Sequence, residues 1–273
     1  MTIIKITIEG YMRNLSNNIV AQVNKDDMSY IQFNILNKYG IKNAYSLNVG
    51  DWNYRHSNLE EEKAAYEKLC NYVGLKSNLV SKPFQRHTDK VLAIDKAMVG
   101  EEIGEVDGLI TNKKDIVLAT TNADCILYLL FDKEKRIIGN VHSGWRGSYQ
   151  RIIENGINLM VEKYDSNPKD IIVCICPSIR KCCFEVDADV KDMFANKFSF
   201  FTNIEKFILK GKKEGKYYID TVGINNELLK NMGILEENIY DSNICSVCNS
   251  DLIHSFRVEG KDFKLATSII SLD

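Results

Sequence analysis

The hydrophobic positions of this chain follow two different periods, which predicts that strands and helices alternate along it. Ile153, Ile157, Met160 and Tyr164 recur at helical spacing and would share one face of a helix that follows Gly147. Short apolar runs rich in β-branched residues predict buried strands. Such runs occupy residues 29–36, 90–94, 116–120, 126–131, 136–141, 171–176, 252–256 and 263–270.

Capping and turn residues indicate where some of these elements begin and end. Ser57 and Glu60 form a capping box at the start of a helix that runs to about Val73 and stops at Gly74. The pattern indicates a mixed α/β or α+β fold. Because no repeat or linker interrupts the chain, we expect one domain over residues 1–273. Further helices are predicted at 187–194 and 221–232, and exposed turns at 132–135 and 210–216.

Composition and charge narrow the class of function. The chain has 273 residues, 45% of them hydrophobic, which is enough for a sizeable core. Its net charge of -2 offers no basic excess for nucleic acid or an anionic membrane, so a small-molecule partner is expected and no obligate protein partner is evident. Neither a signal peptide nor an apolar run of roughly 18 residues is found. We therefore expect a cytoplasmic protein with reduced cysteines.

Two of the four histidines and one cysteine lie at junctions between predicted elements, where functional groups reach the surface. His87 precedes a strand, Cys125 lies between two apolar runs, and His142 ends a strand. Two imidazoles and one thiolate suit Zn²⁺, with copper as the alternative, and three protein ligands leave a fourth position for water or substrate. The wide gaps match no local zinc-binding pattern, so two hydrogen-bonded histidines and a buried thiol remain the alternative interpretation.

The segment HSGWRG, which begins at His142, has features of an anion site. Gly144 and Gly147 permit a tight turn, and the N–H groups of the helix that follows favour an anion. Arg146 could add a bidentate phosphate contact. A plain strand-to-helix turn with a solvent-facing arginine is the alternative.

Acidic residues next to these junctions suggest two different roles. Asp124 adjoins Cys125 and is a candidate for proton transfer. Consecutive strand side chains point to opposite faces, so this role requires an irregular backbone. Asp107, in VDGLIT, is interpreted as a turn residue whose side chain bonds the backbone.

The remaining cysteines include a CxxC pair, Cys245 and Cys248. A structural zinc site would need two further ligands, which Cys182 and Cys183 could in principle supply, and a redox pair would normally open a helix in a thioredoxin-like unit. We favour buried or half-buried thiols. His254, in DLIHSFR, is expected to pack within a strand.

Taken together, these segments resemble the laccase-domain family, the YfiH-type proteins long labelled polyphenol oxidases, several of which are regarded as purine nucleoside phosphorylases. FQRHTDKV resembles the QxHxxxV motif of that family, TNADC its TADC motif and VHSGWRG its HAGWRG motif. CPSIRKCCFEV is similar to GPxIGPCCYEV, and CSVCNSDLIHSFR to CTxxxxxxFFSYRR. YSLNVGD and DGLIT also match, so the resemblance runs in order along most of the chain.

The resemblance implies a layered α/β/β/α sandwich with mixed sheets and a metal, usually zinc. It implies phosphorolysis of adenosine, inosine, guanosine and S-methyl-5′-thioadenosine, with adenosine deaminase activity. The implied metal ligands are His87, Cys125 and His142. The implied pocket residues are Asn48, Arg146 and Arg257. The chain departs from the family pattern at Ala65, Cys176 and Val258, which puts the substrate preference in doubt rather than the metal site.

Three other functions stay open on the sequence. A copper-dependent, laccase-like polyphenol oxidase would need many more histidines than the four present. A cysteine hydrolase would use Cys125 as nucleophile and His142 as base. A non-catalytic binding protein would bind a ligand without turnover.

Overall fold

Two stacked six-stranded sheets form the centre of the molecule. The computed structural model describes residues 13–55, 59–98 and 103–272. The strand order of the first sheet is β1-β2-β3-β15-β7-β4, and all neighbours are antiparallel except β4 and β7. Its strands are β1 (Val20–Lys25), β2 (Met28–Phe33), β3 (Lys42–Ser46), β4 (Val80–Ser81), β7 (Val117–Asn122) and β15 (Ala266–Ser271).

The second sheet is also mixed, with the order β14-β10-β8-β9-β6-β5. The pairs β10–β14 and β5–β6 are parallel, and the central pairs are antiparallel. Its strands are β5 (Val91–Ala93), β6 (Gly108–Thr111), β8 (Ile126–Asp132), β9 (Ile137–Ser143), β10 (Ile171–Ile175) and β14 (Ile239–Asp241). A small third sheet consists of β11 (Glu185–Asp187), β12 (Ile208–Lys210) and β13 (Lys216–Ile219).

Helices cover the outer faces of both large sheets. Ala65, Tyr66 and Leu69 of α2 pack in one apolar cluster with Tyr30 and Ala44 of the first sheet. The helices are α1 (Asn34–Lys38), α2 (Leu59–Val73), α3 (Trp145–Gln150), α4 (Ile152–Tyr164), α5 (Ala188–Lys197), α6 (Thr221–Asn231) and α7 (Phe256–Glu259). In α4, the predicted apolar face packs on the second sheet. The layers therefore follow the expected α/β/β/α order.

Strand β8 is buried on both faces because it lies in the inner layer. Leu127 and Leu129 belong to the core between the two sheets, whereas Tyr128 and Leu130 pack on the α4 side. A strand with two apolar faces is an uninterrupted hydrophobic run, which explains the sequence ILYLLF. Because the strand ends emerge from this rigid core, residues that flank them are held in fixed positions.

Most predicted elements are present, and the exceptions have local causes. The strand predicted at 29–36 ends at Phe33, because Asn34 begins α1. The strand predicted at 252–256 is wrong: this segment is a turn that leads into α7, and its buried apolar residues fill a loop. Ser57 lies outside the described residues, as does the segment 1–12. The single domain over residues 1–273 stays a prediction.

The described helices are each too short or too polar to span a bilayer. The longest, α2, has 15 residues and carries three glutamates in its first turn.

Candidate metal centre

Strand register brings three distant segments to one edge of the second sheet. His142 is the last residue but one of β9 and pairs with Leu127 of β8, so Cys125, which precedes β8, lies at the same edge. Strand β6 pairs Gly108 with Val141, which places Asp107 beside His142. The His142 N–H donates to the Asp107 carbonyl oxygen at 2.7 Å. The edge therefore collects polar residues from three chain segments.

The three predicted metal ligands meet at this edge. The candidate ligand atoms of His87, Cys125 and His142 all lie within 4.8 Å of one another. Cys125 Sγ is 3.6 Å from His87 Nε2, and the two imidazole centroids are 4.9 Å apart. His142 is buried, Cys125 half-buried and His87 exposed, so the cluster opens towards solvent on one side. Two nitrogens and one sulfur in this arrangement fit a Zn²⁺ or copper ion with an open position.

Unusual backbone conformations aim these side chains at one point. His87 and Asp124 have positive φ values of 60° and 83°, which non-glycine residues rarely adopt. The irregular backbone that Asp124 was expected to need is therefore present. Gly144 leaves space for the site, because a Cβ atom there would lie 2.3 Å from His87 Cδ2 and 3.2 Å from Cys125 Sγ. Only glycine fits this position without displacing the imidazole.

Asp107 orients His142 and the loop that carries His87. Its fully buried carboxylate contacts His142 Nδ1 at 2.8 Å. It also accepts hydrogen bonds from the backbone N–H groups of Arg86, His87 and Thr88. The backbone-bonding role expected for Asp107 is therefore observed. Because Nδ1 is held by the carboxylate, Nε2 of His142 is the nitrogen left for the metal.

Charge coupling inside the centre favours a Cys125 thiolate beside a protonated His142, which would release its proton when a metal binds. Burial raises the pKa of the Cys125 thiol, but His142 and His87 outweigh burial and lower this pKa to about 6. Burial lowers the pKa of His142, whereas Cys125 and Asp107 raise it, to about 9. Burial raises the pKa of Asp107, but His142 and Thr88 lower it to about 2. A thiolate at Cys125 is the form that a metal ion requires.

The Asp124 carboxylate is buried and anchors a neighbouring loop. One oxygen accepts hydrogen bonds from the hydroxyls of Ser246 and Ser255, at 2.6 and 2.7 Å. The other accepts from the Arg257 N–H at 2.7 Å. Asp124 therefore ties the turn that carries Cys125 to the segment that begins α7. Its predicted role in proton transfer stays a prediction.

A cavity of about 1480 Å³ opens over the three ligands. Aromatic side chains line it, including Phe84, Trp145, Phe256 and Phe263. Its lysine and arginine side chains are Arg55, Lys63, Lys82, Arg86 and Arg257. A mostly apolar cleft with a few charged groups and a candidate metal site is the usual form of a small-molecule site.

The predicted substrate-binding residues differ in their relation to this cavity. Arg257 lines the cavity, and its guanidinium donates to the carbonyl oxygens of Cys183 and Glu185 at 3.4 and 3.2 Å. Asn48 and Arg146 are not among the described residues that line the cavity. The exposed Arg146 guanidinium stacks 4.2 Å from the centroid of the Trp145 ring. Helix α3 has only six residues, so its dipole is that of a short helix.

Sequence reasoning missed two contributions to the site. Asp107 was interpreted only as a turn residue, because its contact with His142 spans 35 positions and depends on strand register. The aromatic wall was also missed, since Phe84, Phe256 and Phe263 lie in unrelated segments. Phe256 keeps 53% of its surface exposed and Phe84 37%. The available sequence signal for this wall was an apolar residue next to a turn, in PFQRH and in HSFR, and this signal is weak.

Comparison with known proteins finds a matching family and several similar relatives. Residues 38–272 match the family described as multi-copper polyphenol oxidoreductase laccase. A purine nucleoside phosphorylase of Borreliella burgdorferi is 34% identical over 173 residues, which are 63% of this chain and 71% of that protein. A purine nucleoside phosphorylase of Aquifex aeolicus is 30% identical over 191 residues, covering 70% of this chain and 82% of that protein.

The fold is also found in solved structures. The hypothetical protein YfiH of Bacillus licheniformis superposes with a TM-score of 0.83 at 22% identity, over 92% of this chain and 99% of that one. At this identity the likeness shows the shared fold.

Proposed function

Because this chain belongs to the multi-copper polyphenol oxidoreductase laccase family, and relatives of similar sequence are named purine nucleoside phosphorylases, we propose that it is a metal-dependent purine nucleoside phosphorylase. The observation that carries the proposal is the His87, Cys125 and His142 cluster in a cavity lined by aromatic and charged side chains. The substrates would be purine nucleosides and inorganic phosphate.

The cavity offers suitable partners for both substrates. The partly exposed ring of Phe256 presents an apolar face on which a purine can stack. Arg257 lines the same cavity and offers guanidinium N–H groups for a phosphate oxygen. A cleft of this volume is larger than a nucleoside needs, which leaves room for both reactants together. Adenosine, inosine, guanosine and S-methyl-5′-thioadenosine are the proposed nucleosides.

The proposed reaction joins phosphate to the ribose and releases the base. A phosphate oxygen attacks C1′ as the glycosidic bond breaks, and the base leaves with the bonding electron pair and gains a proton. A bound Zn²⁺, or copper as the alternative, would supply Lewis-acid polarisation at the cavity floor. We assign proton transfer to Asp124. Hydrogen bonds from Ser246, Ser255 and the Arg257 N–H hold this carboxylate in place. It would take a proton from the attacking phosphate and pass one to the departing base.

Product analysis tests the proposal directly. Metal-quantified protein is incubated with adenosine, with and without phosphate, beside a Cys125→Ala variant. Adenine and ribose 1-phosphate are expected only with phosphate, and only with the unaltered chain. Inosine formed without phosphate would assign adenosine deaminase activity to the same site. Absence of turnover of each proposed nucleoside by metal-loaded protein would refute the proposal.

A matched pair of arginine variants tests the phosphate site. Arg257→Gln is expected to raise the KM for phosphate at least tenfold, because a charged hydrogen bond contributes about 1.5–3 kcal/mol. Arg146→Gln removes an exposed arginine beside the same centre and is expected to change this KM less than threefold. A larger rise in this KM for Arg146→Gln than for Arg257→Gln would place the phosphate site at the start of α3, as the HSGWRG pattern suggested.

A cysteine hydrolase is the second candidate, and one observation favours it. Asp107, His142 and Cys125 form a connected carboxylate, imidazole and thiol, the arrangement of a nucleophilic triad. Iodoacetamide separates the two candidates, because a metal-bound thiolate is not a free nucleophile. Alkylation of Cys125 that is fast without metal and slow in zinc-loaded protein fits the phosphorylase. Equal rates would favour the hydrolase.

The ligand set also bears on the polyphenol oxidase alternative. Of the four histidines, two meet at the metal centre, and His254 is buried in a separate contact with Glu259. His56 lies outside the described residues. Two imidazoles and one thiolate form a site for a single ion, which is too few nitrogens for a multicopper cluster. Oxygen uptake with a phenol by copper-loaded protein would contradict this reasoning.

A further inference from the structure

Four cysteines lie close together outside the first candidate metal centre, which consists of His87, Cys125 and His142. The sulfur atoms of Cys182, Cys183, Cys245 and Cys248 all lie within 4.8 Å of one another. Cys248 Sγ is 3.5 Å from Cys183 Sγ and 3.8 Å from Cys182 Sγ. A tetrahedral ion with Zn–S bonds of about 2.3 Å holds its sulfur atoms about 3.8 Å apart. The observed spacing matches four thiolates around one ion.

The backbone holds these cysteines together independently of any sulfur contact. Ser178 and Cys245 form a parallel β-bridge, and the Ser246 N–H donates to the Ser178 carbonyl oxygen at 3.0 Å. Arg180 donates to the Ile244 carbonyl oxygen and pairs with Asp241 at 2.7 Å. The segment before the CC pair is therefore fixed against the segment before the CxxC pair. Such preorganisation reduces the entropy lost when an ion binds.

We propose that Cys182, Cys183, Cys245 and Cys248 bind a structural Zn²⁺ ion, separate from the first centre. Four protein thiolates fill a tetrahedral shell, so the site is closed to substrate, in contrast to the three-ligand centre. Sulfur ligands in a tetrahedral set select zinc over hard cations such as Mg²⁺ or Ca²⁺. Cys182 and Cys248 are exposed, which gives the ion a route from solvent. The interpretation of Cys245 and Cys248 as buried or half-buried thiols is right for Cys245, which is buried, and wrong for Cys248, which is exposed.

The ion would brace one wall of the substrate cavity. Ser246 follows Cys245 directly and donates to Asp124, the residue before Cys125. Arg257 lines the cavity and donates to the Cys183 carbonyl oxygen at 3.4 Å. The quartet therefore joins two segments that both contact the cavity wall. Loss of the ion is expected to loosen Arg257 and raise the KM for phosphate, while the first centre keeps its metal.

Metal counting in a Cys125→Ala background isolates the second site, because this variant lacks a ligand of the first centre. The full-length chain is purified under reducing conditions and its zinc is measured by mass spectrometry. About one zinc per chain is expected to remain. Adding Cys245→Ser and Cys248→Ser is expected to remove it, whereas adding Cys70→Ser, at a buried cysteine outside both sites, is not. Loss of all zinc from Cys125→Ala alone would overturn the proposal.

Cobalt reports on the site without altering its cysteines, in case the serine variants fail to fold. The zinc-stripped Cys125→Ala chain is refilled with Co²⁺. A tetrahedral four-thiolate site is expected to give intense sulfur-to-cobalt charge transfer and strong visible bands. Weak pink absorption of octahedral Co²⁺ would overturn the proposal. So would a Cys183–Cys248 disulfide found by peptide mapping of the purified chain, because it would assign the quartet to redox chemistry.

Discussion

At the residue scale, the candidate metal centre depends on Asp107, which is not itself a candidate ligand. Its carboxylate contacts the His142 imidazole and accepts from the His87 backbone N–H, so one side chain holds both residues in place. Sequence reasoning selected the three candidate ligands from residue type and position at junctions, and the structure brings them within 4.8 Å of one another. That reasoning did not find the contact between Asp107 and His142, because nothing in the local sequence around VDGLIT indicates a partner at His142.

Replacing this carboxylate should weaken metal binding while the ligands remain. For Asp107→Asn we expect zinc affinity to fall about 10–100-fold, because the amide removes the charge that orients and polarises His142. Competition with a chromophoric chelator measures the affinity. Asp115→Asn changes an exposed aspartate and should leave the affinity unchanged. Unchanged zinc affinity in the Asp107 variant would show that His142 is oriented by other contacts.

Gly144 offers a second test at the same scale. A Cβ atom in Gly144→Ala would meet His87 Cδ2 at 2.3 Å, so His87 must move away from Cys125. We expect loss of most bound metal with little change in the folded core. Gly156→Ala is the control, because its Cβ atom would meet Val141 at an ordinary 3.5 Å. Metal content and circular dichroism of both variants give the answer.

At the scale of elements, the loop around α7 decides the shape of the cavity wall. The Glu259 carboxylate accepts from the N–H groups of Ser255 and Lys264, at 2.8 and 2.9 Å, and contacts His254. These bonds close a loop that presents Phe256 and Phe263 to the cavity. A strand was expected over part of this segment. The apolar residues in DLIHSF resemble a strand when read locally. The contacts that stabilise a loop instead come from the Glu259 carboxylate, which lies outside that apolar run.

The same carboxylate predicts a stability change with pH. Burial raises the pKa of Glu259, but the N–H donors and His254 outweigh it and lower this pKa below 4.5. A lowered folded-state pKa means that the contribution is complete above the unfolded value and is lost as pH falls through the folded one. Glu259→Gln should therefore reduce Tm at pH 7, and the difference should shrink between about pH 5 and pH 3.

Thermal melts across this pH range measure the difference. Glu236→Gln, at an exposed position, is the control and should leave Tm unchanged at every pH. A Tm difference for Glu259→Gln that stays constant from pH 7 to pH 3 would show that Glu259 acts through shape and not through charge.

At the scale of the whole molecule, β8 supports both apolar cores. Leu129 faces the other sheet and Leu130 faces α4, and both are fully buried. We expect Leu129→Ala and Leu130→Ala each to lower the free energy of unfolding by about 2–5 kcal/mol. Leu209→Ala, at a side chain 45% exposed, should cost less than about 1 kcal/mol. Urea unfolding measures all three, and tolerance of either β8 variant would contradict two-sided burial.

The sequence by itself determined the order and type of most elements, since these depend on local periodicity and on capping or turn residues. The runs at 126–131 and 136–141, with a turn between them, predicted the β8–β9 hairpin, and spacing after Gly147 predicted the apolar face of α4. Residue chemistry and motif resemblance selected His87, Cys125 and His142 before their proximity was known. The layered fold followed from the same resemblance.

Only the tertiary structure decided which distant residues meet. Strand register placed Asp107 against His142, and the β-bridge between Ser178 and Cys245 brought two cysteine pairs together. Register is set by the packing of whole sheets, where a shift of one residue would turn every side chain to the other face. The local sequence around each of these residues does not indicate which distant residue will pair with it. The physical reason is that long-range contacts depend on the complete core, whereas element type depends on neighbours along the chain.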